Sequence, residues 1–187
     1  MKHSRLTTIK KGIIFAGICV ALLAAVKIGN RILTKRFSPE AQAVYDHGDM
    51  SMIVNYCQPS KKGRDIFGFS GLVPYGEVWR TGANESTEVS LTNDVLLGTK
   101  KLLAGTYSMF TIPDENGWTI IFNEELDQWG AFDYDEQLDV LRVQVPRQST
   151  DEIVEQFTIG FVETDSLINM ELRWDNTLVR VPFSLEE

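Results

Sequence analysis

With 187 residues the chain is long enough for one sizeable hydrophobic core and short for two. Lys and Arg number 18 against 26 Asp and Glu, and the first 36 residues hold eight of those bases (Lys2, Arg5, Lys10, Lys11, Lys27, Arg31, Lys35, Arg36) and no acid, so residues 37–187 carry a net charge of −16. Such a body repels phosphate backbones, which argues against general nucleic-acid binding, while Cys19 and Cys57 as the only cysteines and His3 and His47 as the only histidines exclude a disulfide framework and a multi-histidine metal centre.

From Ile13 to Val26 the chain reads IIFAGICVALLAAV, an apolar run behind the basic MKHSRLTTIKK. A charged start and an apolar middle are the layout of an export signal. Two fates fit residues 1–36. A cleaved signal wants small residues at the −3 and −1 positions, where Leu23 and Ala25 are the best offer. An uncleaved anchor needs about 20 apolar residues, and Gly12 to Ile28 supplies 17 including Lys27, whose stem would snorkel towards the head groups. Bases on both sides of the run favour the anchor, so residues 12–28 are expected to be a single-pass membrane partner, with a cleaved signal and a soluble product as the alternative. Four bases before the run and four just after it leave the orientation tied. Cys19 lacks a lipobox, because Ile18 stands where a small residue is required.

Residues 37–50, FSPEAQAVYDHGDM, read as a polar linker. Residues 51–187 are expected to form the folded domain, where period-two spacing dominates. It is carried by Met52, Val54 and Tyr56, then by Thr87, Val89 and Leu91, then by Leu141, Val143 and Val145. It returns in Phe157, Ile159 and Phe161, in Ile168, Met170, Leu172 and Trp174, and in Val179, Val181 and Phe183. WTIIFN (118–123) is apolar on both faces and predicts a central strand. Turn signals stand at Gly98, Ala104–Thr106, Pro113–Gly117 and Trp174–Asn176, and GTKKLLAGT reads as a hairpin. STDEIVEQF alone suggests a short helical turn, capped by Ser149 or Thr150 and running to Glu155. The predicted fold is all-β, an antiparallel β-sandwich or jelly roll of about eight to nine strands behind one N-terminal hydrophobic helix.

Between the strands at Tyr56 and Val89 lie 28 residues without alternation, Gln58 to Glu85. A connection that long is usually functional or disordered, and Ile66, Phe67, Phe69, Leu72, Tyr75 and Trp79 argue for order. Its polar residues admit two readings. Arg64 and Arg80 offer planar forks to a carboxylate, phosphate or sulfate, with Asn84 to orient and Glu85 to accept; or Arg80 pairs with Glu77 or Glu85, Trp79 fills the core, and the glycines make turns. A second concentration, DQWGAFDYDEQLDVLRV (127–143), offers Trp129 as a stacking face beside Tyr134 and Asp139. There Arg142 is either solvent-exposed or a partner for Asp139 or Glu85. Glu85 and Asp139 are the only acid and base pair proposed for a hydrolase. No Gly-rich phosphate loop, Gly-x-Ser-x-Gly elbow or Cys-x-x-Cys pair appears, and no cofactor or metal is expected.

The stretches NYCQPSKKGRDIFG, GLVPYGEVWRTGANEST, LLAGTYSMFTIPDENGWTIIFN and QWGAFDYDEQLDVLRVQV, from about Asn55 to Val145, resemble the bacterial family known as domain of unknown function 2911. The resemblance implies an exported or envelope-anchored β-rich domain, which resolves the orientation: inner membrane, body in the periplasm. It marks Arg64, Tyr75, Trp79, Arg80, Gly82, Asn84 and Glu85, with Trp129, Tyr134, Asp139 and Arg142, as signature residues, and it brings no reaction. Three functions follow as expectations. The first is a module that binds a small-molecule or glycan ligand, anionic or sugar-like, through Arg64, Tyr75, Trp79, Arg80, Asn84, Glu85, Trp129, Tyr134 and Arg142. The second is a hydrolase working through Glu85 and Asp139. The third is a structural or partner-docking domain braced by a buried Arg–Glu network.

Overall fold

The computed structural model describes residues 17–185 apart from 24, 27, 28, 32, 49, 165 and 166. Residues 17–23, 25, 26, 29–31 and 33–35 are helical. The expected anchor, residues 12–28, lies partly outside the described residues, and among the described residues no helix is long and apolar enough to cross a membrane. The chain divides into two units between Arg36 and Phe37.

The second unit is built of nine strands: β1 (Glu40–His47), β2 (Met50–Cys57), β3 (Thr87–Leu91), β4 (Val95–Leu97), β5 (Lys100–Leu102), β6 (Gly105–Pro113), β7 (Gly117–Asn123), β8 (Asp139–Thr164) and β9 (Leu167–Leu185). They form one sheet in the order β1-β2-β3-β6-β7-β8-β9-β4-β5, antiparallel at each pairing. The alternating residues face the core as their spacing dictates: Met52, Val54 and Tyr56 from β2, and Thr87, Val89 and Leu91 from β3. β7 is central and paired on both sides, which explains its two apolar faces. Ile120 and Phe122 join the main core with Met109. Phe110 and Ile121 are buried outside that cluster, where Phe110 meets the Tyr134 ring at 4.9 Å. The segment after β7 thus roofs part of the sheet.

β8 changes partner along its length, pairing with β7 through Asp139–Pro146 and with β9 from Arg147 to Thr164. Its far half returns to the start of the body. The Tyr56 hydroxyl donates to the Ile159 carbonyl (3.3 Å) and accepts from the Ile159 amide (3.0 Å). The Phe157 amide donates to Pro59 O (2.9 Å), and the Lys61 amide to Glu155 O (2.7 Å). Five rings fill the space beneath, Phe67, Trp79, Trp118, Phe157 and Trp174, with centroids 4.9 to 6.0 Å apart in contacting pairs. Each such pair adds about 0.5–1.5 kcal/mol beyond its burial. Phe67 and Trp79 come from the long connection, which is therefore pinned by its own side chains.

Three expectations are corrected. Glu40–His47, read as linker, is strand β1, paired with β2 along its whole length. Ser149–Glu155, read as a helical turn, lies within β8, because Glu155 and Phe157 spend their backbone groups on Lys61 and Pro59 rather than on a local turn. Trp174–Asn176 is not a turn: β9 runs through it with Asp175 at φ 54°, opposite the register shift at Val154, and Asp175 is held by an ion pair to Lys61.

Candidate functional site

Trp79 exchanges both backbone hydrogen bonds with Thr111 of β6 (2.8 and 2.9 Å), and Thr87 opposes Met109 two residues back along the same strand. The seven residues Arg80–Ser86 are looped out between these two points on β6. The Thr87 amide closes the loop on Arg80 O (3.2 Å), and the Thr87 hydroxyl donates to Thr81 O (2.6 Å). Thr81 (φ 55°) and Asn84 (φ 61°) sit in left-handed backbone, and for a β-branched threonine that is a strained position. The strain is held from several sides. Trp79 Nε1 donates to Gly82 O (3.0 Å), the Thr81 hydroxyl to Thr111 Oγ1 (3.2 Å), and Asn84 Nδ2 to Ser38 O (3.2 Å).

Trp129 meets this loop. Glu85 and Trp129 form an antiparallel bridge, flanked by the Ser86 amide on Gln128 O and the Gly130 amide on Asn84 O, both 2.9 Å. The two concentrations singled out by composition therefore touch at Asn84, Glu85 and Trp129.

Beside the loop lies a cavity of about 330 Å³ whose lining includes Phe37, Lys62, Arg64, Trp79, Arg80 and Trp174. Arg80 is its least ordinary member. Its Nε is buried without a hydrogen-bond partner, and among the described residues it has no ion pair. Burial pushes the guanidinium below the usual arginine range, and Cys57 beside it pulls the other way. The exposed Arg64 instead folds onto its own loop, donating from Nε to Lys61 O (2.9 Å) and from Nη2 to Ser60 O. The Cys57 thiol is 3.9 Å from a Glu85 carboxylate oxygen.

The remaining predicted residues lie apart. Tyr75, Asn84, Glu85 and Trp129 do not line the cavity, and the Tyr75 ring packs on Phe69 (5.7 Å). Tyr134, Asp139 and Arg142 make a closed triangle: the Tyr134 hydroxyl and Arg142 Nε both donate to Asp139 Oδ2 at 2.6 Å, and Arg142 Nη2 donates to the Tyr134 oxygen at 2.6 Å. Asn123 takes the other Asp139 oxygen (2.8 Å). Tyr134 is pushed up to about 12, by burial first and by the Asp139 carboxylate second, with Arg142 opposing. Arg142 is raised, chiefly by its bond to Asp139. This triangle pins the segment after β7 to the sheet. Both Asp139 oxygens are thus engaged, Oδ2 in the triangle and Oδ1 by Asn123. A connected Arg–Glu network does exist, on β9: buried Glu171 accepts from Arg173 (2.7 Å) and Arg180 (2.7 Å), and Arg180 also reaches Gln148.

Lys62, Phe37 and Trp174 line the cavity and Cys57 lies beside Arg80, and none of the four was among the predicted site residues. Trp174 carried only a strand signal, and Phe37 only that of a connector. Among the described residues no group of three or more His, Cys, Asp and Glu side chains is placed to hold a metal ion.

No curated protein and no solved structure matches the chain. The family model described as Protein of unknown function (DUF2911) matches residues 38–183, beyond the stretch from Asn55 to Val145 and across β1 and most of β9, and the chain belongs to that family.

Proposed function

We propose that the domain binds a small anionic ligand, an inorganic oxyanion, a carboxylate or an acidic sugar, in the cavity lined by Arg80. We further propose that it works outside the cytoplasm of a bacterium, held to the inner membrane by residues 12–28. The carrying observation is Arg80: a half-buried guanidinium whose Nε has no hydrogen-bond partner among the described residues. A buried charge without a partner is costly, and an anion in the cavity that pairs with the guanidinium offsets that cost. Lys62 and Arg64 add positive charge at the same cavity, and Trp79 and Trp174, stacked at 19° between planes, form an aromatic wall. The return of β8 across the start of the body supports a two-layered, sandwich-like packing of the nine strands, which gives the cavity a stiff frame.

The test is thermal unfolding of the full chain with inorganic phosphate, sulfate, acetate and glucuronate. Ligand at a hundred times its Kd stabilises by about 2.7 kcal/mol, which raises the Tm of a chain this size by roughly 5 to 10 °C. At least one probe is expected to do so. Arg80→Met, folded by circular dichroism, is expected to lose the shift. A shift that survives in Arg80→Met, or none with any probe, overturns the reading.

A further inference from the structure

We propose that the anion is the phosphate of an anionic lipid head group, taken in at the point where the chain enters the folded body. This ligand class rests on the Arg80 cavity being an anion site. Phe37 and Ser38 line the cavity, and Phe37 directly follows Arg36 at the division of the chain. In sequence, the ten residues Lys27–Arg36 separate Phe37 from the apolar run Ile13–Val26.

The lining is graded in exposure. Trp79 is buried and Arg80 is partly so, whereas Phe37 is 61% exposed and Leu72 46% exposed. Lys62 and Arg64 are exposed beside them, with the Lys62 ammonium 5.4 Å from the Phe37 ring centre. Arg80 within, and Phe37 and Leu72 beside Lys62 and Arg64 at the rim, match an anionic amphiphile that enters head first and leaves its acyl chains at the rim. A bare inorganic anion makes no use of Phe37 or Leu72. The net charge of −16 on residues 37–187 opposes adsorption to an anionic bilayer as a whole, so the recognition is of one head group in one hollow rather than of a charged face.

The experiment titrates the full chain in dodecylmaltoside with dihexanoyl phosphatidylglycerol, dihexanoyl phosphatidylcholine and inorganic phosphate, reading fluorescence from the cavity tryptophans. Phosphatidylglycerol is expected to bind at least about tenfold more tightly than phosphate, the equivalent of burying about two methylene groups. Phe37→Ser combined with Leu72→Ser is expected to remove that gap by weakening phosphatidylglycerol more than phosphate. Arg80→Met is expected to abolish binding of both anions. Equal affinities for lipid and phosphate, a gap untouched by the rim substitutions, or phosphatidylcholine binding as tightly as phosphatidylglycerol overturns the lipid proposal and leaves the anion site standing. Failure of both phosphate and phosphatidylglycerol to bind overturns the lipid proposal, and the anion site itself falls only when sulfate, acetate and glucuronate leave the Tm unshifted as well.

Discussion

Arg80 and Tyr134 are both partly buried polar side chains, and they answer substitution in opposite ways. Arg80 has no ion pair among the described residues, so its charge opposes folding. Arg80→Met keeps the length of the side chain and drops the charge, and the unfolding free energy in urea is expected to rise by on the order of 1 kcal/mol. A fall instead would mean that Arg80 braces the fold. Tyr134 is fully partnered, and Tyr134→Phe is expected to cost about 1 kcal/mol at neutral pH. Its phenol ionises near 10 when unfolded and at about 12 when folded. Between those values the unfolded chain has released a proton that the folded one keeps, so stability falls as the pH rises from 10 to 12. Urea midpoints across that window are expected to decline less steeply in Tyr134→Phe, with a remaining slope from Tyr45, Tyr56 and Tyr107, whose phenols are also raised.

Among the elements, the looped-out Arg80–Ser86 depends on a close approach. A Cβ at Gly82 would stand 2.9 Å from the Cys57 carbonyl oxygen, a backbone atom that cannot swing aside. Gly82→Ala is therefore expected to destabilise the domain by about 2 kcal/mol in urea unfolding, and an unchanged midpoint would show that the loop shifts freely. The strands were legible wherever one face is wholly apolar, as in Met52–Val54–Tyr56 or Val179–Val181–Phe183. β1 was not, because only Ala43 in it is buried and no alternation results. The turn chemistry of Trp174–Asn176 survives in the positive φ of Asp175, but β9 runs on through it opposite the irregular stretch of β8 around Val154. Neither Glu85 nor Trp129 lines the cavity, but the meeting of Glu85 with Trp129's segment was legible. The separation of Tyr134, Asp139 and Arg142 from the cavity was not, since it is set by which strands lie between, and strand order has no local signature. Arg142 with Asp139, three residues apart, was the exception.

At the scale of the molecule the division at Arg36/Phe37 has a direct readout. Limited trypsin digestion is expected to cut at Arg31, Lys35 or Arg36 first and to leave a resistant body beginning near Phe37, identified by mass. Early cleavage at Lys61–Arg64 would show instead that this segment is loosely held. The Tyr56 bond to Ile159 spans 103 residues, and the cavity joins Trp79 to Trp174 in the same fashion. Few of these contacts can form while the chain is still emerging from the ribosome, so the body has high contact order and is expected to fold slowly, after synthesis has ended. Until β9 is in place the cavity lacks its Trp174 wall, and a nascent chain that stays open for that long suits the export proposed above.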